Sequence, residues 1–174
     1  MDVLETKNRD DSVVFMRAIW NGRVDVVKSL LDRGVSVETM DKNGQTVLMQ
    51  ASYFEKVDIT ELLLSRGANV NAKDKGGRTA LGRAACNGHV DIIERLLNHG
   101  ANAEAKDKSG RTALMGAAQR GKVAVVELLL RRGADVNAKD RNGMTVIELA
   151  VEAGDSYALT VLLLSRAQSV KSDW

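Results

Sequence analysis

Apolar residues along this chain come in paired bursts separated by polar turns. The first burst, Val14, Phe15, Ala18 and Ile19, has the spacing of one buried helix face. Asn21-Gly22 closes it, and a second helix is predicted from Val24 to Leu31, ending at Gly34. The couplet then recurs. Leu48 and Ala51, Leu81 and Ala84, and Leu114 and Ala117 mark a series of first helices. Leu62-Leu63-Leu64, Ile92-Ile93 with Leu96-Leu97, and Val125-Val126 with Leu128-Leu129-Leu130 mark the second helices. Ahead of the later couplets stands Asp-x-x-Gly followed by a threonine. Asp41, Asp74, Asp107 and Asp140 keep a spacing of 33 residues, as do Gly44, Gly77, Gly110 and Gly143, and Thr46, Thr79, Thr112 and Thr145. A period of that size marks stacked repeats, in which no unit buries its apolar face alone.

Local chemistry assigns each recurring residue a task. The aspartate carboxylate can accept backbone N–H groups of its own turn, and the glycine takes the strained position. The threonines stand where a helix N-cap belongs. Met1 to Arg9 reads as a polar lead-in, with Asp11 or Ser12 capping the first helix. Asp58 and Asp91 fall at helix starts, and Arg66, His99 and Arg132 at helix ends, as the helix dipole favours. Glu55 occupies a position where the repeat expects glycine, so strain of about 1 kcal/mol is predicted there. Gly82 and Gly116 lie inside first helices, each costing about 1 kcal/mol against alanine. Leu97→Ala or Leu129→Ala is expected to cost about 2–5 kcal/mol by opening a cavity.

The stretch from Asp74 to Lys106 carries Asp-x-x-Gly-x-Thr-Ala-Leu, then Ala-Ala-x-x-Gly-His-Val-Asp-Ile-Ile, then Leu-Leu-x-x-Gly-Ala-Asn. This motif resembles the ankyrin repeat, and the resemblance covers roughly residues 8 to 166. It departs where that family usually has Thr-Pro-Leu-His. Here stand Thr46-Val47-Leu48-Met49, Thr79-Ala80-Leu81-Gly82 and Thr112-Ala113-Leu114-Met115, and the chain contains no proline. The resemblance implies an all-α solenoid of helix-turn-helix repeats joined by β-hairpin-like loops. The expected organisation is a single domain over 1–174. It has an N-terminal capping repeat at 8–40, internal repeats at 41–73, 74–106 and 107–139, a C-terminal capping repeat at 140–166 and a tail at 167–174. The last repeat is made more polar by Glu148, Glu152, Asp155 and Ser156, and Arg166 replaces its closing glycine. The tail, with Val170 and Trp174, is expected to fold over the exposed end.

Composition narrows the chemistry. Aromatics are 3% of residues, so the core must be built from Leu, Val, Ile and Ala. A net charge of +2 is too small to argue for nucleic acid. The single cysteine, Cys86, cannot pair internally and fits a reducing compartment. No apolar run approaches the roughly 18 residues that span a membrane, and the N-terminus lacks an apolar signal core. The expected compartment is the cytoplasm, or the nucleus, and the expected state a monomer. Only two histidines occur, His89 and His99, neither at metal-ligand spacing from a cysteine or another histidine. Gly76-Gly77 lacks the Gly-Lys-Ser/Thr of a phosphate loop. No enzyme, metal site or cofactor is expected.

What remains is surface. Proteins of the resembled family bind partners with their turn tips and the inner face of the first helices. On this chain the tip positions are Met40, Lys42, Asn43 and Gln45, then Lys75 and Arg78, then Lys108 and Arg111, then Arg141 and Met144. The inner-helix positions are Trp20 and Asn21, Tyr53 and Phe54, Cys86 and Asn87, and Gln119 and Arg120. Trp20, Tyr53 and Phe54 are half of the aromatics and fall on adjacent repeats, where core positions are already supplied by Leu and Ala. Lysines and arginines recur along the tips, interrupted by Asp74, Asp107 and Asp140. The expectation is a non-catalytic module that binds a partner protein, and the basic tips suit an acidic one. Alternatives are a basic-edge nucleic-acid binder, or a scaffold with no natural ligand.

Overall fold

The structure, a computed structural model, describes residues 3–154, 160 and 162–165. Nine helices are defined among them: α1 (Val3–Trp20), α2 (Val24–Asp32), α3 (Val47–Tyr53), α4 (Val57–Ser65), α5 (Ala80–Asn87), α6 (Val90–Asn98), α7 (Ala113–Gln119), α8 (Val123–Arg131) and α9 (Val146–Glu152). Residues 160 and 162–165 are also helical. The odd-numbered helices pack on one another in sequence order and form one row, and α2, α4, α6 and α8 form a second. Helix pairs packed at every step are the expected all-α solenoid.

Side-chain size explains the two rows. Ala51, Ala84, Ala85, Ala117, Ala118 and Ala150 are completely buried along the first row, where small residues let helices approach closely. The second row buries bulkier Ile59, Leu63, Ile92, Ile93, Leu96, Val126 and Leu129. Cross-unit bonds stitch the tips. The N–H groups of Lys75, Lys108 and Arg141 donate to the carbonyls of Asn43, Gly76 and Ser109 at 2.9–3.0 Å. The amines of Lys73, Lys75 and Lys106 also donate to carbonyls one repeat length away, those of Lys106, Lys42 and Lys139.

The turn chemistry holds in detail. Oδ1 of Asp41, Asp74, Asp107 and Asp140 each accepts two backbone N–H groups of its own turn, at 2.7–3.0 Å. Thr46, Thr79, Thr112 and Thr145 cap α3, α5, α7 and α9, and Thr145 forms a full capping box with Glu148. The hairpin character of the loops survives only as isolated antiparallel bridges, Met40 with Thr46 and Lys139 with Thr145. Gly110 shows why glycine is needed at the tip. Its φ is +77°, and a Cβ would lie 2.8 Å from the amide nitrogen of Arg141.

Several expectations are corrected. Asp11 and Ser12 do not cap α1, because the helix already runs from Val3. No proline or glycine interrupts that stretch. Mid-helix N–H groups already have carbonyl partners, so a capping side chain has nothing to satisfy. Asp11 instead pairs with Arg33 at 3.4 Å. Residues 3–9 therefore belong to the helix rather than to a lead-in. Leu97 is only half-buried, whereas Leu96 is fully buried. Ile92, Ile93 and Leu96 form the inward stripe of α6, and Leu97, about 100° round from Leu96, falls beyond the Ile93 edge of that stripe. Asp155, Ser156, Arg166, Val170 and Trp174 lie outside the described residues.

Glu55 has φ +55°, the only non-glycine residue with positive φ among the described residues. Its carboxylate lies 3.5 Å from Nδ1 of His89, an exposed contact of small worth. Glu55→Gly should therefore raise the unfolding free energy in urea by about 1 kcal/mol. Leu129→Ala, at a completely buried site, should lower it by about 2–5 kcal/mol, and Leu97→Ala by clearly less.

Candidate partner-binding surface

The exposed aromatics arise from the ends of two neighbouring helices. Trp20 closes α1, Tyr53 closes α3, and Phe54 is the residue after it. Behind them Phe15, Ala18, Ile19, Leu48 and Ala51 already fill the core. Trp20 is consequently 63% exposed, Tyr53 44% and Phe54 36%. Phe54 stands 6.4 Å from Trp20 and 5.0 Å edge-on from Tyr53, between ring centroids. Val13, Met16 and Arg17 precede Trp20 on one side of α1, at helical spacing. With Asp41, Gln50 and Phe54 they line a hollow of about 590 Å³. Val13 and Met16 were not among the expected contacts. Their i, i+3 and i+7 spacing with Trp20 was a usable signal.

His89 braces this region. Its Nε2 lies 3.0 Å from the carbonyl of Tyr53. A carbonyl only accepts, so Nε2 carries the hydrogen. His99 bonds the Arg95 carbonyl through Nδ1 at 2.9 Å. Each histidine thus has one ring nitrogen on a backbone carbonyl and the other facing a glutamate, Glu55 for His89 and Glu61 for His99. No cluster of metal-ligating side chains occurs among the described residues, and none of the described helices is long and apolar enough to cross a membrane.

The basic tips are exposed but partly neutralised. Lys42, Lys75, Lys108 and Arg141 are exposed, as are Asn43 and Met40. Gln45 accepts from the Gln50 amide at 2.8 Å, Asn87 donates to the Arg83 carbonyl, and Met144 packs partly on the core. Asn21 is exposed beside Trp20. Arg78 lies 3.5 Å from Asp74. Nε of Arg111 lies 3.6 Å from Asp140, an ion pair too long for a hydrogen bond. Arg83, which was not anticipated, is buried against Asp74. Gln50 reaches back to Asp41 from the same place in the preceding unit.

Toward the C-terminal half, Arg78, Cys86, Arg111, Gln119 and Arg120 surround a second, smaller hollow between α5 and α7. Burial pushes the Cys86 thiol up, although Arg120 and Arg78 oppose that rise. The thiol is therefore neutral near pH 7, a poor nucleophile.

The geometry defines a class, the non-globular stack of helix pairs with a polar tip edge and an unpaired face. A family model described as ankyrin repeats in three copies matches residues 15–107 and 100–173. The chain belongs to the ankyrin repeat family. Such repeats are generally protein–protein interaction modules and typically non-catalytic. No curated protein matches the sequence.

The tip carboxylates tie stability to pH. Burial resists ionisation of Asp74, but the Arg78 N–H and the Arg83 guanidinium outweigh it and hold its carboxyl below the ordinary range. Burial likewise resists at Asp140, outweighed by the N–H groups of Met144 and Asn142 and by Arg111. The folded values lie below the unfolded ones, so the unfolded chain takes up protons first as pH falls. The contribution is present above the ordinary aspartate value of about 4 and is lost below it. Urea midpoints measured from pH 6 to pH 3 should fall, and Asp74→Asn should show a shallower fall.

Proposed function

We infer that the chain is a non-catalytic module that grips a partner protein along its row of first helices and its hairpin tips. The observation that carries this reading is the stacked, exposed trio of Trp20, Tyr53 and Phe54 over a core that is already full. Large aromatics left in water at the rim of an apolar hollow gain by being covered, and such residues dominate interface energies. The exposed lysines and arginines of the tips would steer an acidic partner and fix its register. A stable complex would bury on the order of 1,600 Å² in total.

The module acts as a monomer in the cytoplasm or nucleus, with capping repeats at 8–40, which the start of α1 extends back to Val3, and 140–166 around three internal ones. The regular recurrence of the helix pairs and tip bonds supports the division into repeats. The test is affinity. With a partner captured on the unaltered chain, Trp20→Ala and Tyr53→Ala should each weaken binding by about 2 kcal/mol or more in calorimetric titration. Unchanged affinity in both would place the grip elsewhere.

A further inference from the structure

We propose that the hollow between α5 and α7 receives an aspartate or glutamate side chain of the bound partner segment. The proposal rests on the protein-binding reading above and names what this part of the surface recognises.

Two missing side chains make the hollow. In the 33-residue register, Gly82 stands where the neighbouring units carry Met49 and Met115, both buried. A Cβ on Gly82 would find only Thr79 Oγ1 within 4 Å, at 3.7 Å, so the space beside it is open. Gly116 stands in register with Gln50 and Arg83, the side chains that reach back to their tip aspartates. Here no side chain among the described residues reaches Asp107. A Cβ on Gly116 would instead lie 2.8 Å from Sγ of Cys86, which occupies that place. The result is a hollow of about 180 Å³ floored by Gly82, Cys86 and Gly116. That is below the roughly 300–1,000 Å³ of small-molecule sites and suits a single side chain.

Charge decides which side chain. Arg78, Arg111 and Arg120 line the hollow against one acid, Asp107. The Asp107 carboxylate is held in its turn by the N–H groups of Ser109 and Arg111. Arg111 shares its charge with Asp140, and Arg78 approaches an Asp74 already paired with Arg83. Arg120 is exposed and forms no ion pair among the described residues. The half-buried thiol of Cys86, its titration pushed up by desolvation, adds no negative charge. Guanidinium groups are left in excess over carboxylates, and their forked donors suit a carboxylate.

Position sets the spacing of the recognised segment. The aromatic hollow lies between α1 and α3, two helix steps from the arginine hollow. At 8–10 Å per step the separation is roughly 20 Å, spanned by about six extended residues. The partner segment therefore carries an aromatic or large aliphatic anchor and, about six residues from it, an acid.

Random linear peptides displayed against the full chain test this. Enriched peptides should share an apolar anchor and an Asp or Glu at that spacing. A synthetic copy with Glu→Gln should bind at least about tenfold more weakly by fluorescence anisotropy. Arg120→Gln in the protein should abolish the difference between the Glu and Gln peptides. Gly82→Met, which fills the hollow as Met49 and Met115 fill theirs, should abolish it too, without lowering the melting temperature. Glu and Gln peptides binding alike to the unaltered chain would overturn the proposal, as would retained discrimination in both variants. Preference for Lys or Arg would assign the hollow to Asp107 and overturn it. A phosphoserine peptide preferred tenfold over Glu would replace the carboxylate by a phosphorylated partner. Apolar-anchored peptides without an acid would sink this inference and leave the protein-binding reading standing; no enrichment at all would sink both.

Discussion

A helix pair with apolar residues on both of its broad sides has no buried state of its own. Covering one side requires the next pair, and the requirement passes along the chain. Alanines satisfy it in the first row, where Ala51, Ala84, Ala117 and Ala150 are completely buried, and branched aliphatics satisfy it in the second. The distance between neighbouring first helices is thereby fixed. With it the tips fall into register, close enough for one amide to reach the carbonyl of the previous tip. Gly110 is the sharpest expression of this, since even a methyl group would collide there.

The same requirement leaves other surface unclaimed. Once Leu48, Ala51, Phe15 and Ile19 have closed the joint between α1 and α3, no interior place remains for Trp20 or Phe54. Charges are sorted by a related logic. Arg83 can be buried because Asp74 meets it, and the carboxylate also accepts two turn N–H groups. Arg120 has no such counterpart among the described residues and stays in water.

Much of the fold was legible because short-range chemistry sets it. Asp, Gly and Thr at fixed offsets specify a turn and a cap wherever they occur, and the structure uses all four sets as expected. The Asp11 and Ser12 cap failed for the complementary reason. A capping side chain works only where N–H groups are free, and α1 begins eight residues before Asp11. Leu97 failed because the phase of a helix against its neighbours is a tertiary property, and one residue of rotation exchanges Leu96 for Leu97. The exposure of Trp20, Tyr53 and Phe54 was readable from the core being full. The companions Val13 and Met16 could have been found from their helical spacing with Trp20, but the pair Arg83–Asp74 could not, since it depends on which parts of two segments meet. Gly82 and Gly116 read as costs in the sequence. In the structure they are the absent walls of a hollow.

The bonds from each tip to the one before it have a mechanical meaning. Lys75 to Asn43, Lys108 to Gly76 and Arg141 to Ser109 join successive tips backbone to backbone along one edge, whereas the second-helix row is joined through side chains, by apolar packing and by pairs such as Arg95 with Glu61, Arg132 with Asn98 and Arg66 with Asp32. Bonds between two backbone groups resist extension more stiffly than contacts made through long side chains that can turn or slide. A bending load on the stack is therefore taken up more by the second-helix row, whose bonds all run through rotatable side chains, and the molecule behaves as a leaf spring with one stiffer edge.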